Sequence, residues 1–202
     1  MGGPASRVPF VGLTGGLASG KSTALAALGE LGADTLSSDE VVHELLATDE
    51  VRDAVAGRLG HDVVVDGRLD RARMAEKVFA SGADREWLEG ILWPRVGEHT
   101  ARWLEELRAR EDLPEAAVVE SPLLFEAGLE DRFDHTIAVV ADEAIREQRA
   151  GSRGHEGVES RSGRQLTQEE KSQRADFTVR NDGTREELKA QLSHVLATIR
   201  QD

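Results

Sequence analysis

The chain has 202 residues, 39% apolar but only 4% aromatic, so it can bury a core built mainly of Leu, Val and Ala. With 25 basic against 38 acidic side chains its net charge is −13, which excludes an extended surface for nucleic acid or anionic membrane. There is no cysteine, no apolar run near the roughly 20 residues of a bilayer span, and no long apolar segment in MGGPASRVPF, so a cytoplasmic protein is expected.

Val8 to Leu13 is a short apolar run closed by glycines and reads as a buried strand. After the glycine-rich stretch Thr14 to Thr23, Ala24 to Leu31 reads as a helix ending before Gly32. Asp34 to Leu36 is a brief extended piece, and Glu40 to Ala47 (EVVHELLA) has helical spacing. From Asp49 to Arg110 the pattern is mostly helical, with a turn at Asp66-Gly67 and a break at Pro94. Ala116 to Val119 and Thr136 to Ala141 are further buried strands, the second followed by a helix from Glu143 to about Ala150. Gly151 to Gln165 is almost all Gly, Ser, Arg and Glu, and is expected to be mobile. Gln168 to Arg174 reads as a helix and Phe177 to Arg180 as a last strand, turning at Asn181-Asp182-Gly183. Arg185 to Arg200 is an amphipathic helix with Leu188, Leu192, Val195, Leu196 and Ile199 on one face. Apolar strands alternating with helices imply an α/β fold, with a parallel sheet covered on both faces.

Gly15-x-x-x-x-Gly20-Lys21-Ser22 has the spacing of a phosphate-binding loop, with a strand before it and a helix after it. Glycines let successive backbone N–H groups approach phosphate oxygens with no Cβ in the way. The helix beginning near Lys21 aims its positive end at the same anion. Lys21 suits the β- and γ-phosphates, and the Ser22 hydroxyl suits Mg²⁺. Gly15, Gly16, Ala18, Ser19, Gly20, Lys21, Ser22 and Thr23 therefore form the expected triphosphate site. At ordinary composition the pattern arises by chance in about one chain in a hundred, so an idle glycine-rich turn is disfavoured. The loop alone does not separate a kinase from a GTPase, a motor or a switch. The guanine-reading N-K-x-D is absent, and the length suits a small-molecule kinase. Such a kinase needs an acceptor region and a cationic lid, for which the helical block near 40–110 and the Arg-rich stretch near 146–166 are the candidates.

Several stretches follow one another in a family order. They are Gly12-Leu13-Thr14-Gly15-Gly16-x-x-Ser19-Gly20-Lys21-Ser22-Thr23, then Ser38-Asp39, then Asp66-Gly67-Arg68-Leu69-Asp70-Arg71 before a helix ending Val78-Phe79. Pro122-Leu123-Leu124-Phe125-Glu126-Ala127-Gly128-Leu129 comes next, and Arg164-Gln165, Lys171, Ala175-Asp176 and Asn181-Asp182-Gly183 close the series. Over nearly its whole length the chain resembles the dephospho-coenzyme A kinase family. The resemblance implies a P-loop kinase three-layer fold over 1–202, with a helical acceptor insertion near 40–110 and a short lid near 146–166. It implies transfer of the γ-phosphoryl group of ATP, with Mg²⁺, to the ribose 3′-hydroxyl of dephospho-CoA, the last step of coenzyme A biosynthesis. A monomer is expected.

Asp39 matches the family's catalytic carboxylate, and Lys21 and Arg153 complete the implied catalytic set. The rival role for Asp39 is to cap a helix beginning at Glu40. Arg149, Arg161, Arg164 and Asn181 join the triphosphate site, and Arg71, Leu123, Leu124 and Phe125 join Asp39 on the acceptor. Glu120 either orients a water on Mg²⁺ or is a solvated carboxylate at a strand end. The chain departs from the family pattern at Ala18 (usually Gly), Ser37 (usually Asp) and Trp93 (usually His), and its lid is shorter. Two other functions stay open: a related P-loop kinase for another nucleotide or nucleoside, and a nucleotide-binding module without catalysis.

Overall fold

The computed structural model describes residues 8–152 and 165–201. In chain order the elements are β1 (Phe10–Gly15), α1 (Lys21–Glu30), β2 (Asp34–Ser37), α2 (Ser38–Ala47), α3 (Asp49–Leu59), β3 (Val64–Val65) and β4 (Arg68–Leu69). There follow α4 (Arg71–Ala80), α5 (Gly82–Arg108), β5 (Ala117–Glu120), β6 (His135–Val140), α6 (Glu143–Ser152), α7 (Gln168–Arg174), β7 (Phe177–Arg180) and α8 (Arg185–Ile199). The chain divides into two compact units, residues 38–105 and the remainder on either side.

The larger unit is built on a five-stranded sheet in the order β2-β5-β1-β6-β7, every neighbouring pair parallel. All six residues of β1 are buried, which is why its sequence reads as a continuous apolar run rather than an alternating one. Val11 and Leu13 pack with Ala24, Ala27 and Leu28 of α1 and with Leu188, Leu192, Val195, Leu196 and Ile199 of α8. Between them Gly12 faces the other way, and a Cβ there would lie 2.5 Å from Leu124 Cδ1. Both α7 and α8 open on capping boxes, Thr167 with Glu170 and Thr184 with Glu187.

The smaller unit has its own core of Val51, Val55, Leu59, Val63, Leu88 and Leu92, flanked by Leu45, Met74 and Trp87. Arg58 lies over the Trp87 ring at 5.8 Å. The turn expected at Asp66-Gly67 joins the hairpin β3–β4. Both residues are left-handed (φ +50° and +75°), as a two-residue turn matched to strand twist requires.

Pro94 does not break the helical pattern but lies inside the 27-residue α5. A proline ring crowds the carbonyl four residues earlier. That residue is Gly90, which adds no side chain to the crowding, and the Arg95 guanidinium donates to the Ile91 carbonyl at 2.9 Å. Among the described residues no helix is long and apolar enough to cross a membrane.

Candidate functional site

Strand β1 ends at Gly15, and the next five residues turn into α1 at the carboxyl edge of the sheet, where ligand crevices of parallel sheets form. The loop closes on itself through Ser19 N–H to Gly16 O, 3.2 Å. Gly20 takes φ +94°, and a Cβ there would sit 1.9 Å from Asn181 Nδ2, so its position requires glycine twice over. That Asn181 amide donates to Ser19 O at 2.9 Å, its N–H donates to Val140 O, and its carbonyl accepts from Arg149 Nη2 at 3.0 Å. Buried Asn181 thus fastens the glycine loop to β6 and α6, and its amide is spent on the protein. Beside it Asp182 accepts the Asp142 N–H, which with the Arg180 guanidinium holds its carboxyl below the usual range.

Helices α3, α4, α7 and α8 each begin with a Thr or Asp side chain accepting a backbone N–H. Helix α1 does not. Its cap is Gly20, which has no side chain to bond the free N–H groups, and it has no acidic residue in its first turn. Its positive end is left for an anion, and the buried Ser19 Oγ has no partner among the described residues. Lys21 Nζ rests on Gly16 O at 3.1 Å, and Ser22 is exposed one residue on. The donor set suits phosphate, and the exposed Ser22 hydroxyl is an oxygen ligand of the kind a hard cation takes.

Ala18 stands in the left-handed region at φ +59°. For a residue with a Cβ that conformation costs about 1–2 kcal/mol, partly offset by the greater freedom glycine would have in the unfolded chain. Ala18→Gly is therefore expected to stabilise the protein by up to about 1 kcal/mol. Denaturant unfolding would show it, and a loss of stability would mean that the Ala18 methyl packs productively.

At the end of β5, Glu120 is not a solvated carboxylate. It is 6% exposed and its Oε2 accepts the hydroxyl of Ser37, its register partner on β2, at 3.1 Å. A serine at 37 gives Glu120 a hydrogen bond where an aspartate would give it a second charge.

Sequence reasoning missed Lys171 as a structural centre. Its side chain is fully buried, with Nζ 2.5 Å from Pro122 O, 2.9 Å from Glu126 Oε1 and 3.4 Å from Thr14 Oγ1. Glu126 Oε1 also accepts the Leu166 N–H at 2.8 Å. A charged residue in a short polar helix gives no periodicity that would announce such burial. Two of the residues expected on the acceptor have buried side chains. Leu124 and Phe125 are 0% and 3% exposed, with Leu124 packed against Gly12 and Phe125 under the Arg174 guanidinium, so their side chains serve the core. Leu123 is half-buried. Arg153, Arg161 and Arg164 lie outside the described residues.

In the smaller unit Asp39 is exposed in the first turn of α2, which starts at Ser38 and not at Glu40, so Asp39 is past the cap position. His43, one turn on, shares its helix face and contacts Arg71, the residue after the Asp70 cap of α4.

The family described as dephospho-CoA kinase matches residues 9–187. A dephospho-CoA kinase of Protochlamydia amoebophila is 38% identical over 187 residues, 90% of this chain and 92% of that protein. The chain belongs to the dephospho-CoA kinase family. The matched span takes in every candidate site residue from Gly15 to Asn181. A crystal structure of the protein TT1252 from Thermus thermophilus superposes with a TM-score of 0.77 at 34% identity, covering 95% of this chain and 98% of that one. The dephospho-CoA kinase of Campylobacter jejuni, at 22% identity, shares the fold with a TM-score of 0.68, covering 95% and 96% of the two chains.

Proposed function

We propose that this chain phosphorylates the ribose 3′-hydroxyl of dephospho-CoA with ATP, giving coenzyme A and ADP in the cytoplasm, and that it acts as a monomer. The observation that carries the phosphate half of this reaction is the uncapped, glycine-lined start of α1 with Lys21 folded over it. Family membership carries the acceptor half.

In this reaction the loop N–H groups hold the β-phosphate, and Lys21 spans the β- and γ-phosphates. The Ser22 hydroxyl would hold Mg²⁺, which when bound neutralises charge on the transferring group. Asp39 accepts the 3′-hydroxyl proton as the new O3′–P bond forms and the bond to the β-phosphate oxygen breaks. Arg149, with Arg153, Arg161 and Arg164 from the lid near 146–166, would close over the triphosphate with planar, bidentate donors. Residues near 40–110 would seat the acceptor, with Arg71 facing its diphosphate.

Purified protein is expected to release ADP from ATP only when dephospho-CoA is added, with the product carrying phosphate at the 3′ position. Equal turnover with a nucleoside monophosphate would assign it to another branch of the P-loop kinases, and tight ATP binding without turnover would make it a binding module. Lys21→Ala should lower kcat by about a hundredfold or more while circular dichroism is unchanged, because the side chain meets charge that develops in the transition state.

A further inference from the structure

Arg146 lies on α6 three residues before Arg149, on the same helix face. It reaches the opposite end of the glycine loop. A Cβ on Gly16 would sit 3.3 Å from Arg146 Nη1, whereas a Cβ on Gly20 would sit 3.7 Å from Arg149 Nη1. The Arg146 Nε is buried and has no hydrogen-bond partner among the described residues. A desolvated guanidinium N–H without an acceptor is costly, and the Nη1 end of the same fork lies against the glycine loop, where a bound anion would supply one. Its neighbours say what kind. Lys21 Nζ sits on the Gly16 carbonyl, so an ammonium and a guanidinium converge on one glycine. The other side chain against Gly16 is Gln168, which is neutral and already paired with the N–H and C=O of Ala141. In a chain of net charge −13, this concentration of cations is local and specific.

We propose that Arg146 is a further phosphate-binding residue, taking an oxygen of the γ-phosphoryl group beside Lys21 and so distinguishing the triphosphate from its diphosphate product. The proposal rests on the glycine loop being a triphosphate site, and adds to it the group that senses the third phosphate. A planar fork supplies direction where the lysine supplies only a point charge.

The test is calorimetric binding of a non-hydrolysable ATP analogue and of ADP, each with Mg²⁺, to the full chain, Arg146→Met and Arg146→Lys. Methionine keeps an unbranched apolar stem, and lysine keeps the charge and carries the test should the methionine variant fold poorly. A hydrogen bond to a charged group implies that affinity for the analogue falls about tenfold or more in Arg146→Met. ADP affinity should change much less, and Arg146→Lys should recover part of the loss. Equal losses for analogue and ADP, or no loss for either, would overturn the proposal. An Arg146-dependent preference for the analogue in a protein that leaves dephospho-CoA unphosphorylated would uphold Arg146 while refuting the acceptor. Absence of any triphosphate binding by the unaltered chain would refute both.

Discussion

Lys171→Met is expected to lower the free energy of unfolding by about 3–5 kcal/mol, the cost of leaving one member of a buried ion pair without its partner. Lys171 is fully buried and Glu126 is 11% exposed, so water cannot replace the lost cation. Among the described residues Glu126 would keep the Leu166 N–H on Oε1, with its Oε2 already lacking a partner there. The remedy should be as informative as the damage. Lys171→Met combined with Glu126→Gln removes both charges and is expected to recover most of the loss, as seen where buried pairs are replaced together. Urea unfolding of the two single variants and the double variant gives the coupling directly. A Lys171→Met protein as stable as the parent would show that the pair contributes nothing. Because Nζ also reaches Thr14 Oγ1 on β1 and the Pro122 carbonyl beyond β5, the single variant should bind triphosphate less tightly as well.

Asp39→Asn is expected to reduce kcat by about 10²–10⁴-fold, the range associated with loss of a positioned base. Asp39 is exposed in the first turn of α2 and is not its cap. Its removal should therefore change stability only by the small helix-dipole contribution, about 0.3–1 kcal/mol. Steady-state kinetics with thermal melting separates the two roles. A variant with full turnover and a much lower Tm would make Asp39 a structural residue.

Features that depend on contiguous sequence are legible in the chain itself. The glycine loop declares itself because Gly15, Gly20, Lys21 and Ser22 must be neighbours in the chain to face one anion. The stripe of Leu188, Leu192, Val195, Leu196 and Ile199 is likewise complete within one helix, and all five are buried as its spacing implies. What sequence could not show is set by contacts between distant segments. Lys171 and Glu126 look like ordinary surface charges until α7 and the segment after β5 are brought under β1. Leu124 reads as part of a family motif, and the room that Gly12 makes for its side chain shows only once β1 and that segment are packed together. Pro94 reads as a stop because proline usually is one. The surrounding helix, held by packing along its 27 residues, carries it, and no propensity scale includes that. Arg146 opens the Arg-rich stretch read as a lid, but only its Nη1 beside Gly16 and its Nε without a partner among the described residues set it apart.

The strand order β2-β5-β1-β6-β7 also governs how the protein is made. Its central strand is the first to leave the ribosome, yet both of its neighbours, β5 and β6, are encoded far downstream. At about 5–20 residues per second, the apolar run of β1 waits several seconds with two unsatisfied edges. Residues 38–105, whose contacts are largely internal, can collapse during that wait, but β1 cannot. Ribosome-bound chains should therefore need shielding by a chaperone until His135 has emerged. Fragments ending before that point should aggregate or be degraded rather than persist as partial enzymes.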